Sequence, residues 1–179
     1  IIYPLIEESS KLDYENLMKG YEEVKSFFPE PKYWISMVHG KQDAAQKETN
    51  MKRFVNGDTQ ILVGTTVIEV GVNVPNASVM LIESSEKFGL SQLHQLRGRV
   101  GRGAEQSFCI LLSGQKLSAD ARERLKIMVN TNDGFLIAEK DLEIRGPGEM
   151  EGTRQSGALN FKLANILQDK AILEAAKLT

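Results

Sequence analysis

The segment that decides the fold runs Ile61-Leu-Val-Gly-Thr-Thr-Val-Ile-Glu-Val-Gly-Val-Asn-Val-Pro75. It opens with a short apolar run that predicts a buried strand over 60–63, and a glycine and two threonines follow directly. Similar apolar runs, separated by helical patterns, occur at 1–6, 33–38, 78–82 and 107–112. Short apolar strands that alternate with helices predict an α/β fold, a doubly wound parallel sheet with helices on both faces.

The pattern changes after Ser113, where two helical stripes follow with no apolar strand between them. The expected stripes are Ala121, Leu125, Met128 and Val129, and then Phe135, Ala138 and Leu142. A turn signal at 132–134 separates them, so we expect a helical hairpin. Glycine-rich chain and a last helix come next. We therefore expect two units, a sheet domain at 1–113 and, at 114–179, the hairpin, a loop and a C-terminal helix.

The amino-acid composition limits the classes of protein to which the chain can belong. The 179 residues are 41% hydrophobic and 26% charged with a net charge of −2, which is typical of a globular domain and does not indicate a general nucleic-acid binder. The single cysteine, Cys109, and two histidines exclude a disulfide framework and predict no metal site. No apolar run is long enough for a membrane span. The chain begins without Met inside an apolar run, so we expect a piece of a longer protein.

Chemistry is concentrated in Gln95-Leu-Arg-Gly-Arg-Val-Gly-Arg102. We expect a helix from Gln92 to about Gly101, on which Gln95, Arg99 and Arg102 share a face because they are four and three residues apart. Two guanidinium groups beside glycines form a fork suited to phosphate oxygens. The alternative is a solvated face of arginine and glutamine. Thr65 and Thr66, at the end of a strand, could donate to phosphate, although such residues are also routine in turns.

Two motifs are missing from the sequence. It contains no G-x-x-x-x-G-K-[ST] phosphate loop and no acidic pair after a strand that could hold Mg²⁺. The arginine fork therefore lacks a phosphate cradle of its own. We infer that a nucleotide would lie at an interface, held mainly by a domain outside this chain.

These motifs together resemble a known family. The segment 95–102 is similar to motif VI of the second helicase superfamily, 65–73 to motif V, and 3–8 and 37–41 to the motif IV region and the strand after it. Residues 138–149 and 152–157 resemble the translocation motif of the RecG family of ATP-dependent DNA helicases. The resemblance therefore implies the second RecA-like motor domain with its translocation motif.

The resemblance also implies what the longer protein does. It would be a bacterial, cytoplasmic and nucleoid-associated double-stranded DNA translocase that remodels stalled forks and branch-migrates junctions as a monomer. Its partners would be branched DNA, such as forks and Holliday junctions, together with an N-terminal wedge domain and a first motor domain. ATP with Mg²⁺ would be held mainly by that first motor domain, and the isolated chain would be inactive.

Site residues follow from the resemblance position by position. It makes Arg99 and Arg102 the arginine fingers and Gln95 the sensing glutamine. Gly71 and Asn73, together with the two arginines, would bind the nucleotide. The residues that would bind DNA or couple its movement to ATP hydrolysis are Thr65, Thr66, Arg124, Arg145, Arg154 and Gln155. Asn73 departs from the aspartate that is common in the family. We expect Arg124 and Arg145 to brace the hairpin through carboxylates, with Gln155 in a moving loop.

Two alternatives stay open. One is the transcription-repair coupling factor, a translocase that shares the motif and pushes RNA polymerase. The pair Thr153-Arg154 favours RecG, because the coupling factor tends to have acidic residues there. The other is a binding or regulatory module without catalysis, which would describe the chain in isolation.

Overall fold

The computed structural model describes residues 1–5, 10–65, 77–101 and 106–145, with the side chains of 10–12 and 145 left aside. The strands are β1 (Ile2–Tyr3), β2 (Ile35–Val38), β3 (Ile61–Thr65), β4 (Val79–Ile82) and β5 (Phe108–Leu111). The helices are α1 (Ser10–Phe27), α2 (Ala44–Val55), α3 (Leu90–Arg97), α4 (Ala119–Asn130) and α5 (Gly134–Arg145), with a 3-10 turn at Ser85–Lys87. None of the described helices combines the length and apolar character that a bilayer span needs.

The described strands form one sheet in the order β2-β3-β1-β4-β5, and every pairing is parallel. Each strand is therefore joined to the next by a crossover. The described connections from β1 to β2, from β2 to β3 and from β4 to β5 contain α1, α2 and α3. This arrangement confirms the predicted fold class. The observed strands lie within the predicted segments or extend them by two residues at most, although β1 covers only 2–3 of the predicted 1–6.

One face of the sheet is covered by α1. Leu17 of this helix is fully buried, and the ring of Tyr3 lies so close to Gly20 that a side chain at position 20 would overlap it. The small residue therefore lets α1 approach β1. The same face continues over β4 and β5, where Val79 and Phe108 are paired in register and remain about half exposed.

The opposite face carries α2, α3 and the hairpin of α4 and α5. α2 begins after Asp43, which accepts a hydrogen bond from the backbone N–H of Gln46 as its N-cap. The largest buried cluster joins β1, β4, α3, α4 and α5 through Ile2, Ile82, Leu93, Met128 and Ile137, among others. The sheet and the hairpin thus share one hydrophobic core.

The hairpin itself corrects the predicted stripes. In α4, Ala121 and Met128 are buried as predicted, but Val129 is 76% exposed. In α5 the buried residue is Ile137, whereas Phe135 is 90% exposed. Residues 135–137 are all apolar, so the helical spacing alone allows more than one set of residues to face the core. Packing of α5 against α3 buries Ile137 and leaves Phe135 exposed.

Candidate functional site

α3 positions the residues that the sequence assigns to a phosphate group. The side chains of Leu90, Leu93 and Leu96 are almost completely buried, so one face of the helix is fixed by the core. Burying such a side chain is worth about 1.5–3 kcal/mol. Gln95 lies on the exposed side of the helix. The core therefore determines where Gln95 lies and where the chain leaves the helix.

The helix is shorter at its C-terminal end than predicted. It spans Leu90–Arg97, not 92–101, and Gly98 is its C-cap. Gly101 has a φ of +83°, in a region that side chains of L-residues rarely adopt. Glycine costs a helix about 1 kcal/mol relative to alanine, and two glycines within four residues end the helix here. At its N-terminal end the helix begins two residues earlier than predicted, with Gly89 as the N-cap, whose N–H donates to Oε1 of Gln92.

Arg99 consequently lies in a turn and not on a helical face shared with Gln95. We call residues 98–101 the arginine turn. The backbone N–H of Arg99 donates to the carbonyl of Leu96 at 2.9 Å, and the residue is half-buried. The position of the Arg99 backbone is therefore set by the turn, which follows the last residue of α3.

The two glycines of the arginine turn differ in a way that can be measured. Gly101→Ala should destabilise the chain by about 1–2 kcal/mol, because a Cβ strains this backbone conformation and would lie 2.5 Å from Oγ of Ser107. Gly98→Ala should be neutral or stabilise by up to about 1 kcal/mol, since its φ is −68° and a Cβ meets only ordinary contacts at 3.5 Å. Thermal unfolding of both variants decides this. Equal effects would contradict the assigned backbone conformations.

Thr65, another predicted site residue, is the last residue of β3. It lies at the carboxyl end of a parallel strand, where ligands approach such sheets. Its side chain is only 3% exposed, and Oγ1 makes no hydrogen bond within the described residues. A buried hydroxyl without a partner costs about 1–3 kcal/mol. The remaining predicted site residues outside the described ranges are Thr66, Gly71, Asn73, Arg102, Arg154 and Gln155.

Arg124 makes a different contact from the expected one. Its Nη2 donates to the backbone carbonyl of Glu86 at 3.0 Å, so it ties α4 to the 3-10 turn that follows β4. Its Nε is buried without a described partner. We predicted that Arg124 would bind a carboxylate and so brace the hairpin. Among the described residues, its guanidinium group instead binds the backbone carbonyl of Glu86. Arg145 is the last residue of α5, and its side chain lies outside the described part.

Arg97, to which the sequence assigns no role, joins the end of α3 to the hairpin. Nη1 of Arg97 donates to the carbonyls of Met128 and Thr131, both at 2.8 Å, and Nη2 lies 3.1 Å from Nδ1 of His94. We call these four residues the Arg97 clamp. The only sequence signal was a basic residue in the last turn of a helix. Its partners are backbone carbonyls more than thirty positions away, which side-chain patterns do not reveal.

The other residues considered for chemistry have structural environments. Burial raises the pKa of the Cys109 thiol, with the charge of Arg97 acting in the opposite direction, so the thiol stays protonated at neutral pH. Burial, followed by the charges of Lys41 and Lys47, lowers the pKa of His39. His39 also accepts a hydrogen bond at Nδ1 from the N–H of Lys41, so its side chain stabilises the turn after β2.

The described side chains fit only part of a nucleotide site. They contain no group of three residues that could hold a metal ion. The charge offered at the arginine turn is cationic, which suits phosphate oxygens and not Mg²⁺. Of the two predicted arginine fingers, Arg99 is the one that the structure describes in this turn.

A parallel α/β sheet with an arginine turn in the connection from β4 to β5 fits the class of helicase motor domains. Residues 9–104 match the family described as Helicase conserved C-terminal domain, and the chain belongs to this family. Residues 131–179 match the model described as ATP-dependent DNA helicase RecG, domain 3, C-terminal.

Named relatives agree with the family models. The chain is 52% identical to ATP-dependent DNA helicase RecG of Bacillus subtilis over 99% of its length, and 53% identical to that of Escherichia coli K12 over 94%. It spans 26% and 24% of those proteins, about a quarter of their length. The predicted resemblance to the RecG family is confirmed.

Solved structures give the same result. A structure of RecG bound to a three-way DNA junction is 43% identical and matches with a TM-score of 0.70, covering 97% of this chain and 22% of that one. The yeast splicing factor Prp28 is 16% identical with a TM-score of 0.52, covering 87% of this chain and 38% of its own. The second match supports the fold alone.

Proposed function

We propose that this chain is the C-terminal motor portion of an ATP-dependent double-stranded DNA translocase that remodels stalled forks and branch-migrates junctions. The observation that carries the proposal is the likeness to RecG over 97% of the chain, at 43% identity, in a structure bound to a three-way junction. Because the match includes the hairpin as well as the sheet, it supports a translocase with this extension. The match of 131–179 to the RecG model favours RecG over the coupling factor.

We propose that two motor domains contribute different parts of the ATP site. ATP with Mg²⁺ would be held by a first motor domain and would supply the phosphoryl group, while Arg99 and Arg102 stabilise charge on it from this chain. Arginine fingers are worth roughly 10³- to 10⁵-fold in rate in related enzymes. Arg99 fits this role because it lies in a turn that the buried face of α3 holds in place. Gln95, on the exposed side of the same helix, would sense the nucleotide.

The remaining assignments are proposals for the whole protein. Gly71 and Asn73 would lie near the nucleotide, and Thr65, Thr66, Arg154 and Gln155 near DNA or in the coupling loop. We keep the boundary near residue 114, with 1–113 as the motor domain and 114–179 as the hairpin, loop and C-terminal helix. The whole protein would work as a monomer in the bacterial cytoplasm, associated with the nucleoid, on forks and Holliday junctions.

The direct test uses the full-length protein on a synthetic three-way junction. We expect ATP-dependent unwinding of the junction and ATP hydrolysis that the junction stimulates over linear duplex. A protein that hydrolyses ATP equally on every DNA, and leaves junctions intact, would refute the proposal. Displacement of a stalled RNA polymerase without junction unwinding would instead support the coupling factor.

The isolated chain gives a second expectation. It should hydrolyse no ATP above background, with or without branched DNA, because it has no phosphate loop in its sequence. The measurement is phosphate release by the purified chain, with the same chain carrying Arg102→Ala as the control for contaminating enzymes. Turnover that co-purifies with the chain and disappears in the variant would contradict the inference of a split site.

A further inference from the structure

The Arg97 clamp connects the arginine turn to the hairpin through one side chain. Arg97 is the last residue of α3, and the arginine turn begins at the next residue. Its guanidinium group reaches the end of α4, where it bonds the carbonyls of Met128 and Thr131. The last carbonyls of a helix lack partners within the helix, and a cation is favoured at that end. Arg97 therefore caps a helix that belongs to the hairpin.

His94 completes the clamp from the other side. Because Nη2 of Arg97 can only donate, Nδ1 of His94 must accept, which places the histidine proton on Nε2. Nε2 in turn lies against the hairpin, since a Cβ on Gly134 would be 3.2 Å from it. Both polar side chains at the end of α3 thus contact the hairpin, one at the end of α4 and one at the start of α5.

A second contact runs in the opposite direction. Arg124 of α4 donates to the carbonyl of Glu86 in the 3-10 turn, about one helical turn before Met128 in α4. Met128 and Ile137 also pack in the cluster that contains Leu93 and Leu96 of α3. The hairpin is therefore held against the motor domain by hydrogen bonds at two points of α4 and by the apolar contacts of Met128 and Ile137. This favours movement of α3 and the hairpin as one body.

We propose that Arg97 is a positioning residue that couples the hairpin to the arginine turn, so that a force on the hairpin is transmitted to Arg99. The proposal rests on the function proposed above and adds the residue through which DNA engagement sets the rate of ATP hydrolysis. Arg97 touches neither DNA nor nucleotide in this role. It fixes the residue from which the arginine turn departs, and a misplacement of about 1 Å at such a point can cost roughly a hundredfold in rate.

The test compares Arg97→Met with wild type in the full-length protein. Methionine keeps an unbranched apolar side chain but removes the donors, so we expect ATP hydrolysis without DNA to fall by a much smaller factor than hydrolysis on junction DNA. Junction-stimulated hydrolysis should fall about ten- to a hundredfold, and more ATP should be consumed per junction unwound. Arg97→Lys should be intermediate, because one ammonium cannot hold both carbonyls in the planar fork of a guanidinium. Arg122→Met, an exposed arginine of α4, is the matched control and should behave as wild type.

Gly134→Ala tests the clamp from the hairpin side and separates coupling from folding. Alanine at this helical position should raise the unfolding midpoint or leave it unchanged, while its Cβ presses on His94 and displaces the clamp. A more stable protein with weaker junction stimulation supports the proposal. If Arg97→Met lowers DNA-free and junction-stimulated hydrolysis by the same factor, or if Gly134→Ala keeps full stimulation, the proposal is overturned. Wild-type protein without junction-stimulated hydrolysis would instead refute the proposed function.

Discussion

Arg102→Ala in the full-length protein should lower the kcat of junction-stimulated ATP hydrolysis by roughly 10³- to 10⁵-fold, the range seen for arginine fingers in related enzymes. An arginine finger acts on charge that develops in the transition state, so the affinity for ATP should change little. The measurement is kcat on junction DNA together with the nucleotide Kd, obtained separately so that a change in binding is not mistaken for a change in chemistry.

The control for this experiment lies on α4. Arg122→Ala removes the same charge from an exposed position and should leave both quantities unchanged. Arg99→Ala should resemble Arg102→Ala in direction, since both arginines are proposed to face the same phosphoryl group. A collapse of nucleotide affinity at unchanged kcat would mean that Arg102 binds the ground state and is not a finger.

The sheet was predictable because its signals are local. Each strand is a short apolar run, and parallel strands buried on both faces read this way without alternation. The start of α2 was equally predictable, because Asp43 and the N–H of Gln46 are three residues apart. A strand or helix could therefore be predicted from the sequence where its own hydrophobic pattern and a capping residue nearby determine it.

The end of α3 shows where local signals mislead. The spacing of Gln95, Arg99 and Arg102 fits a helix, yet the helix stops at Arg97. Residues beyond the end of a helix can continue its 3.6-residue spacing by chance. The free-energy cost of placing Gly98 and Gly101 in a helix decides where the helical hydrogen bonds of α3 end. Gly101 is required in this turn by its positive φ.

The contacts around the hairpin were not predictable for a different reason. Arg97 and Arg124 both donate to backbone carbonyls, and a backbone carbonyl is present at every residue. The sequence therefore shows the donor and gives no sign of the acceptor. A carboxylate partner was expected for Arg124 because nearby acidic residues are visible in the sequence, and the fold instead brings the carbonyl of Glu86 to it.

The largest effect on unwinding is expected beyond the hairpin. α5 ends at Arg145, and the sequence that follows contains Gly146, Gly148, Gly152 and Gly157. The prediction that this segment contains the loop that moves against DNA lies outside the described residues. Arg145 would hold the start of that segment, and Gln155 would contact the duplex within it.

Arg145→Ala or Gln155→Ala should therefore separate the two activities of the full-length protein. ATP hydrolysis on junction DNA should persist, because the arginine turn and the Arg97 clamp are intact, whereas branch migration should be lost. The measurement is the amount of ATP consumed per junction unwound, which should rise well above the wild-type value in both variants. Lys126→Ala, an exposed basic residue of α4, serves as a charge-matched control for Arg145→Ala.

A purely structural role for Arg145 makes a different prediction. A cation at the C-terminus of a helix contributes about 0.3–1 kcal/mol through the helix dipole, so its loss would slightly destabilise α5 and leave the mechanism unaltered. In that case hydrolysis and unwinding would fall together, and the ATP consumed per junction would match wild type. Gln155→Ala removes no helix-terminal charge, so a raised ratio in this variant would indicate a coupling role for the segment even if Arg145 only stabilises the end of α5.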